Sequence, residues 1–490
     1  MSERGGMVAT GALTLGAAIV GAVANFAIAV VVGRSYGAAD TGVFFAVIGA
    51  FLVAGSALRC GADTGLTRSM SRLRALDRQA DLVPTAVVAV VPVAVAGLLV
   101  AVTVWAVSGR VGAALGGADS VAPDLVHDVA LFVPLLSLLT VVTAGTRGLG
   151  RVAPYALLQH VALPMTRLAG VGAAAALGAG IVVAAGWWAW GLPVVTTAAA
   201  VIFVREIRRA APPGPPSWDR WRELAVEFWT FSLPRAVCAI VEIVLEWLDV
   251  MWVAVLAGQE AAGIYAVATR LVKVALIVDQ AVRVTMSTRI SAWLAVGEVA
   301  KVQRLYEVGT TAMVSLVWPF VIVLGCFPDT AMGMFGKDFP AGSALLLVLC
   351  VGMAVLAAAG SIQSILLLGG LSSRQLVNKS VALVTFVSLG MVLIPRWGAL
   401  GGALTWAGTV LVDTALAAWA VQTRIGVRLT TRVAARVGPT VVLCVAPVAV
   451  AIRFTVGNNL AGMATAALLG LLVLAVVMRR DVRDGLFEMR

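Results

Sequence analysis

The sequence predicts an all-α polytopic membrane protein of about 14 transmembrane helices: two six-helix lobes related by a parallel internal repeat, plus two C-terminal helices. Composition is the first reason, since the 490 residues are 61% apolar and 12% charged, whereas soluble proteins carry about 25% charged residues. Apolar runs long enough to cross a bilayer recur along the whole chain. Short motifs also recur at one fixed offset, which predicts that the lobes are copies of one unit.

The expected spans are windows of about 20 predominantly apolar residues. The first run is longer than the apolar region of a signal peptide, and its repeat partner is internal, so we expect it to be retained. The spans are 8–32, 42–58, 83–107, 125–145, 154–177, 181–204, 230–256, 261–288, 308–327, 340–368, 376–394, 400–422, 438–455 and 460–478.

The basic residues predict the orientation of these spans. With the N-terminus in the cytoplasm, most of the 36 Lys and Arg fall in cytoplasmic stretches, as the positive-inside rule requires. The net charge of +11 then follows from topology, and nucleic acid is not an expected partner. We expect a multi-pass protein of the cell inner (cytoplasmic) membrane with both termini cytoplasmic. Five basic residues fall in outer loops: Arg34, Arg110, Lys337, Arg396 and Arg453.

The reactive side chains do not form a catalytic or metal-binding pattern. The five cysteines are scattered singly, and neither a zinc site nor a disulfide framework has this spacing. The expected outer loops are short and carry no His–Asp or paired-carboxylate arrangement. We therefore expect no metal, no cofactor and no enzymatic activity.

The internal repeat has an offset of 221 residues. GAADTGVFFAV at 37–47 is similar to GQEAAGIYAVA at 258–268, and RSMSRL at 68–73 meets RISAWL at 289–294. Each half is expected to start with a helical hairpin closed by a tight outer turn. Amphipathic stretches near 66–73 and 299–306 are expected as helices in the cytoplasmic interface.

The repeat also sets the expected domains. An N-terminal lobe covers 1–204 (spans 1–6), and a cytoplasmic linker rich in Pro, Arg and Trp covers 205–222. A C-terminal lobe covers 223–425 (spans 7–12), and two extra helices with a basic tail cover 426–490. Parallel repeats of this kind place a transporter's substrate site at the interface between the repeats.

The seventh span carries charges where lipid would be expected. Their spacing puts them on one helical stripe, and a central charge facing lipid costs about 2.5–3.5 kcal/mol. We therefore expect them to face protein or water. The next helix should run back antiparallel and bring charges to equal depth. The charged residues are Arg235, Glu242, Glu246 and Asp249, and the predicted pairs are Glu246 with Arg270, Glu242 with Lys273, and Arg235 with Asp279.

Two interpretations of these charges remain open. They could be ion pairs that only join two helices, although packed apolar residues usually stabilise as well. They could instead line a hydrated cavity, in which Arg270 and Lys273 attract an anionic head group and acids carry a coupling proton or cation. The acids of this second interpretation are Glu242, Glu246, Asp249 and Asp279.

Isolated polar residues in other spans are further candidates. Arg167 and His160 in span five could line the cavity from the first lobe. Asp413 in span twelve is either a proton site or a satisfied structural group. Tryptophans near an outer end are expected to be interfacial anchors. They are Trp187, Trp188 and Trp190.

Six ordered motifs lie along about 400 residues: GRSYGAADTGVFFAV (33–47), LRCGADTGLTRSMSR (58–72), AGTRGLGR (144–151), LDVMWVAVLAGQEAAGIYAVATRL (248–271), MFGKDFPAG (334–342) and IPRWGALGGA (394–403). In their order and spacing they resemble the motifs of the Wzx-type polysaccharide (O-antigen) flippases, in the multidrug/oligosaccharidyl-lipid/polysaccharide (MOP) exporter superfamily. One departure is Met286-Ser287-Thr288-Arg289, where family members often have Pro, which puts local bending there in doubt.

The resemblance implies a flippase that moves an undecaprenyl-diphosphate-linked oligosaccharide from the inner to the outer leaflet by alternating access of two lobes. It implies a role in cell-surface polysaccharide biosynthesis and a cationic cavity, a role carried onto Arg270 and Lys273. Expected partners are the lipid-linked oligosaccharide and membrane lipids, with polysaccharide polymerase and glycosyltransferases as further candidates. A cation-coupled multidrug exporter of the same superfamily and a peptidoglycan lipid II flippase remain alternatives.

Overall fold

The computed structural model describes residues 2–117, 119–211, 219–429, 431–477 and 479. These residues are 89% helical and contain no strand, which confirms the predicted all-α fold. The chain divides into two compact units, Met1–Gly263 and Ile264–Arg490. The predicted lobe boundary in the 205–222 linker stays a prediction, and residues 212–218 of that linker lie outside the described residues, as do residues 480–490 of the basic tail.

The first unit is built from ten helices and the start of an eleventh. A 46° bend separates α5 from α6, and a π-helical turn, Leu158–Ala162, joins α7 to α8. The helices are α1 (Ser2–Leu58), α2 (Ala62–Ala75), α3 (Leu82–Ala106), α4 (Ser108–Gly116), α5 (Ala122–Ala130), α6 (Val133–Gly148), α7 (Val152–Leu157), α8 (Leu163–Ala176), α9 (Ile181–Ala210) and α10 (Trp221–Ala257).

The second unit contains most of α11 and eight further helices. The predicted eighth span is not one straight helix, because Val274 and Ala275 separate α11 from α12. The helices are α11 (Gln259–Lys273), α12 (Leu276–Ala295), α13 (Val299–Cys326), α14 (Pro328–Gly333), α15 (Ser343–Ala358), α16 (Ile362–Leu368), α17 (Ser372–Arg424), α18 (Thr431–Thr455) and α19 (Leu460–Val477).

The long apolar helices identify a multi-pass membrane protein. Within the described residues, nine helical segments are long and apolar enough to cross a membrane, or ten if the bent α5–α6 pair forms one span. Two of these segments, Gly11–Ala75 with 65 residues and Ser373–Arg424 with 52, each exceed the length of one crossing. Gly37 interrupts the first and Gly398 the second with non-helical backbone angles. The predicted number of 14 spans stays a prediction.

The two predicted outer turns adopt the same backbone conformation. Gly37 has φ 76° and ψ −179°, and Gly258, its partner in the repeat, has φ 88° and ψ 173°. Residues that carry a Cβ atom rarely adopt this positive φ, whereas glycine does so at little cost. The repeated Gly therefore interrupts the helical backbone at the same place in each half, and the hairpin expected there stays a prediction.

A second pair of repeated glycines brings two helices into backbone contact. A Cβ atom on Gly42 of α1 would overlap the carbonyl oxygen of Gln259 in the first turn of α11. Reciprocally, a Cβ on Gly263 would overlap the carbonyl oxygen of Ala38. The contact relates equivalent positions of the repeat, because 42 and 263 differ by the offset of 221.

The start of α10 is fastened to α2 by charge. Arg72 forms an ion pair with Glu227, and the guanidinium of Arg68 lies 4.0 Å from the ring centroid of Phe231. At the first turn, Arg220 donates hydrogen bonds to Glu223, which lower the pKa of the Glu223 carboxyl below its usual value. The seventh predicted span thus belongs to the first compact unit.

Amphipathic patterning is confirmed for α2 but not for a separate helix near 299–306. Leu66, Met70 and Leu73 of α2 are buried, and Thr67 and Ser71 donate hydrogen bonds to carbonyls of α6. The stretch starting at Val299 instead forms the first turns of α13, a helix of 28 residues. The stretch is helical, as predicted, but it is continuous with the rest of α13, and its place in the interface stays a prediction.

The last two helices pack against α13. Apolar residues of α18 and α19 form one buried cluster with α13 residues, and the indole of Trp318 donates a hydrogen bond to Ala354 beside Gly438. Where α13 and α18 end, Arg453 Nη1 donates to the carbonyl of Cys326 at 2.6 Å. The clustered residues are Val314, Val323, Phe327, Val441, Val445, Ala449, Ile452, Ala466 and Leu474.

Candidate functional site

The guanidinium of Arg167 is buried in the interior of the first unit. Arg167 of α8 is only 7% exposed, and its guanidinium carbon lies 3.7 Å from the ring centroid of Trp188 on α9. The Trp188 ring meets Phe44 and Phe51 of α1 edge-on, with centroid distances of 6.5 and 5.5 Å. Arg167 therefore stacks on an aromatic group, in a geometry that stabilises the cation.

Two buried nitrogens of this guanidinium lack a protein acceptor. Within the described part of the chain, no acceptor is hydrogen-bonded to Nε or Nη2 of Arg167, and both atoms are buried. Buried polar groups are normally hydrogen-bonded, because an unsatisfied donor costs about 1–3 kcal/mol. The stacking on Trp188 stabilises the positive charge, but the N–H groups of Nε and Nη2 still lack an acceptor among the described residues.

The π-helical turn before α8 sets the position of Arg167. Gly21 of α1 has no side chain, and a Cβ there would press on the backbone of His160 in the turn. The His160 ring lies edge-on to Tyr155 at 5.5 Å, and Gln159 donates to Thr143 Oγ1 at 2.5 Å. Turns of this kind occur frequently at functional sites. His160 and Arg167 thus lie in one helical segment, which the unpredicted π-helical turn distorts.

A buried polar cluster lies in the second unit. Asp413 of α17 accepts a hydrogen bond from Lys379 Nζ at 2.7 Å and from Gln363 Nε2 at 2.9 Å. The side chains of Lys379 and Asp413 are 22% and 16% exposed, so this ion pair is largely withdrawn from solvent. In the described residues, neither Asp413 Oδ1 nor Gln363 Oε1 has a partner. Asp413 is therefore paired with a base, and a proton-carrying role for it stays a prediction.

The residues predicted to bind the head group of the substrate lie directly before a break between two helices. Arg270 and Lys273 are half-buried and occupy the last turn of α11, directly before Val274 and Ala275. Cations in a last helical turn are stabilised by the partial negative charge of the helix C-terminus. Discontinuous helices also form the substrate and ion sites of many transporters.

The stripe of charges on α10 is mostly not buried. Arg235, Glu242 and Glu246 are exposed, whereas Asp249 is 1% exposed and accepts a hydrogen bond from the amide of Val250 at 2.8 Å. Asp279 of α12 forms an ion pair with Arg283 at 3.1 Å, one turn along its own helix. The predicted pairs between α10 and the following helices stay predictions.

Sequence reasoning missed two residues of these sites. The prediction that Trp188 is an interfacial anchor is wrong, since it is 4% exposed while Trp190 is 63% exposed. Its helical spacing from the buried residues Ala184, Leu192 and Val195 would have revealed this. Lys379 lies inside the predicted span 376–394, so a lone base in one span and a lone acid in the next were the available signal.

The side chains present do not form a metal centre. Among the described residues, no three His, Cys, Asp or Glu side chains lie close enough to hold a metal ion. The cysteines whose side chains are described, Cys60, Cys326, Cys350 and Cys444, carry free thiols.

Known structures share this fold although no protein-family model and no curated protein matches the sequence. The lipid II flippase MurJ in an inward closed conformation aligns with a TM-score of 0.73 and 11% identity, over 97% of this chain and 100% of that chain. The chain has the fold of MOP-superfamily transporters.

Transporters from other branches align over less of the chain. An inward-facing multidrug resistance transporter of the MATE family has a TM-score of 0.66 and 15% identity, over 85% of this chain and 98% of that chain. A MOP superfamily transporter from Pyrococcus furiosus, whose binding pocket is described as having reversed polarity, has a TM-score of 0.59 and 15% identity, over 86% and 95%. These neighbours are transporters and flippases, not enzymes. At such identities the likeness shows the fold alone.

Proposed function

We propose that this protein translocates an undecaprenyl-diphosphate-linked oligosaccharide from the inner to the outer leaflet of the cytoplasmic membrane. The observation that carries the proposal is the extent of the likeness to a lipid flippase, 97% of this chain and all of that one. The sequence motifs that resemble those of polysaccharide flippases support the same class of substrate.

The C-terminal helices favour a lipid-linked substrate over a drug. The aligned MATE transporters cover 84–86% of the chain, and the remainder is comparable in length with 426–490, the segment without a counterpart in the repeat. Here α18 and α19 are an integral part of the second unit, because their apolar residues share a buried cluster with α13. A function that requires these helices fits the flippase better than the exporter.

The substrate chemistry assigns roles to the charged residues. A pyrophosphate requires cations and donors, which we assign to Arg270 and Lys273, with Arg167 and Arg235 as further cationic groups. The sugars would occupy a hydrated cleft, and the polyprenyl tail would stay in lipid. Coupling to protons or sodium would use acids of α10, α12 or α17, namely Glu242, Glu246, Asp249, Asp279 or Asp413.

A deletion strain tests the substrate. We expect lipid-linked sugar to accumulate in the cytoplasmic leaflet and the wild-type gene to reverse this. An Arg270→Gln/Lys273→Gln variant should fail to complement, whereas Lys337→Gln, at an exposed position in an outer loop, should complement fully. Normal surface polysaccharide in the deletion strain would refute the proposal.

The second candidate is a cation-coupled multidrug exporter, favoured by the exposed carboxylates Glu242 and Glu246 on α10. It predicts that the deletion strain becomes sensitive to cationic drugs and keeps its surface polysaccharide. A peptidoglycan lipid II flippase differs again, because its loss would stop growth when no other lipid II flippase is present.

A further inference from the structure

A helix break in the second unit sets the position of Gln363. One of the expected spans is not a single helix, because the turn 359–361 separates α15 from α16. Gly360 in this turn has φ 60°, and the hydroxyl of Tyr306 on α13 donates to the carbonyl of Ala359 at 2.6 Å. The break is therefore held by packing on α13, and it places Gln363 in the first turn of α16. Discontinuous helices of this kind form binding sites in many transporters.

Three helical segments each contribute one polar side chain next to this break. Gln363 Nε2 donates to Asp413 Oδ2 at 2.9 Å, and the same oxygen accepts from Lys379 Nζ at 2.7 Å. Lys379 precedes and Asp413 follows Gly398, which interrupts α17, so the two charges come from different segments of that helix. Since the ammonium and the carboxylate neutralise each other, the cluster as a whole carries no net charge.

Two oxygens of this cluster are unused. Within the described part of the chain, Asp413 Oδ1 and Gln363 Oε1 are buried and accept no hydrogen bond. The vacancy is selective, because the other carboxylate oxygen accepts two hydrogen bonds and the amide nitrogen of Gln363 donates one. One hydrogen bond joins the carboxylate to the amide, so their vacant oxygens lie close together. Buried acceptors are normally satisfied, and this pair of oxygens therefore fits a ligand that brings two donors.

The charge of the cluster decides which ligand fits. Buried charges are either paired or bound to a metal ion, and Lys379 already pairs this carboxylate. An uncharged ligand with O–H or N–H groups needs only the two acceptors. The side chains of Lys379 and Asp413 are 22% and 16% exposed, so the cluster is open on one side. Charged side chains within spans almost always face protein or a water-filled cavity, and this opening therefore admits a polar ligand.

We propose that Asp413 Oδ1 and Gln363 Oε1 accept hydrogen bonds from two O–H or N–H groups of the sugar that the lipid carries. This rests on the proposed function and deepens it, because it assigns recognition of the uncharged part of the substrate to α16 and α17. Neighbouring hydroxyls of a sugar ring, or a hydroxyl beside an acetamido group, present two donors to two neighbouring acceptors. A site built to pair with such groups strongly rejects ligands that lack them. Asp413 then acts as a hydrogen-bond acceptor and not as a coupling acid.

The test compares two lipids that differ in the sugar and share the charge of the diphosphate. One is undecaprenyl-diphosphate-linked diacetylchitobiose, whose rings carry adjacent hydroxyl and acetamido groups, and the other is the methyl ester of undecaprenyl diphosphate. Affinities are measured with the purified full-length protein in detergent. We expect the wild type to bind the sugar-bearing lipid at least tenfold more tightly than the methyl ester. Gln363→Met should bind both lipids with the affinity that the wild type has for the methyl ester.

The matched control is Gln422→Met. Gln422 is an exposed glutamine of α17, the helix that carries Asp413, and this variant should keep the preference of the wild type. A preference that persists in Gln363→Met, or equal affinity of the wild type for both lipids, would overturn the site and leave the proposed function standing. Binding of neither lipid by the wild type would contradict the proposed function, and the site with it.

A metal cation is the other ligand that two vacant oxygens could hold. The proposal predicts that sodium chloride and choline chloride at equal concentration give the wild type the same midpoint of thermal denaturation. A higher midpoint in sodium chloride that is lost in Gln363→Met would assign the oxygens to a cation and overturn the proposal.

A second variant keeps the test decisive if Gln363→Met does not fold. Lys379→Met/Asp413→Leu replaces the ion pair with apolar residues, a change that buried pairs usually tolerate. It also removes the vacant carboxylate oxygen, so this variant should lose the preference for the sugar-bearing lipid. A preference equal to that of the wild type would show that the cluster only joins the helical segments, contrary to the proposal.

Discussion

Gly42 and Gly263 permit a close contact between two helices that a side chain at either position would prevent. They allow α1 and the first turn of α11 to touch through their backbones. The carbonyls that they face belong to Gln259 and Ala38, which are themselves equivalent positions of the repeat. The sequence motif contains both glycines at the same offset, so their equivalence was predictable. Their mutual contact was not, because a repeat does not state which copies touch.

Gly42→Ala should therefore separate the two helices. A Cβ would overlap the Gln259 carbonyl, and backbone cannot move aside as a side chain can. We expect a loss of about 1–3 kcal/mol in the free energy of unfolding, as for other overpacked sites, measured by denaturation in detergent. Gly16→Ala is the control, because nothing lies within 4 Å of a Cβ at Gly16. Equal stability of both variants would contradict the contact.

The Lys379–Asp413 pair makes a second prediction at this scale. Lys379→Met leaves a carboxylate largely withdrawn from solvent without its cation, and removing one partner of a buried pair costs about 3 kcal/mol or more. The double variant Lys379→Met/Asp413→Asn removes both charges and should recover most of that loss. Thermal denaturation of the wild type, both single variants and the double variant measures the coupling. Additive effects of the two substitutions would show that the pair is not coupled.

The role of a single residue was predictable only where a motif in the sequence indicates the surroundings of that residue. Gly37 and Gly258 were found because each sits in a repeated motif. The partner of Asp413 was missed because Lys379 and Gln363 are 34 and 50 residues away, and only the folded chain brings them together.

Among the elements, the breaks in the spans were the hardest to foresee. Hydropathy located most helices within a few residues, since burial in lipid requires long apolar runs. It did not locate the interruption at Val274 and Ala275 or the π-helical turn Leu158–Ala162. Neither stretch contains the Gly or Pro that usually marks a helix break, so hydropathy alone could not place the breaks. The doubtful segment at 286–289 lies within the continuous helix α12.

Helix α18 gives the element-scale prediction. A Cβ at Gly438 would lie 2.6 Å from a ring carbon of Trp318, whose indole is held by its hydrogen bond to Ala354. Gly438→Leu should therefore push α18 away from α13 and expose Cys444, which is half-buried. The rate of maleimide labelling, in a chain whose sole cysteine is Cys444, should rise several-fold. Gly172→Leu, where nothing lies within 4 Å, should leave the rate unchanged, and an unchanged rate in Gly438→Leu would contradict this packing.

For the whole molecule, composition and the charge asymmetry were sufficient to predict a polytopic all-α protein, because lipid admits few backbone solutions. The compact units divide at Gly263, whereas the repeat places its boundary in the 205–222 linker. The difference arises because α10 is fastened to α2 by Arg72–Glu227 and by the glycine-lined contact of Gly61 and Gly65 with Ser232. The repeat in the sequence and the packing of the helices therefore divide the chain at different places.

The membrane orientation is testable for the whole chain. In a cysteine-free background, a membrane-impermeant maleimide should label Lys337→Cys in intact cells, because the basic-residue asymmetry places residue 337 outside. Arg208→Cys should be labelled only after lysis. Both positions are exposed, so accessibility on one side of the membrane is the only difference tested. Labelling of Arg208→Cys in intact cells, with Lys337→Cys labelled only after lysis, would show that the predicted topology and the proposed direction of transport are both wrong.

The measurement that tests the central claim most directly is translocation of a fluorescent undecaprenyl-diphosphate-linked disaccharide in vesicles reconstituted with the purified protein. We predict that the wild type moves the lipid between leaflets well above protein-free vesicles, and that Arg270→Gln/Lys273→Gln reduces the rate at least tenfold while Lys337→Gln does not. Translocation no faster than in protein-free vesicles, with uptake of a cationic drug by the same vesicles, would contradict the account.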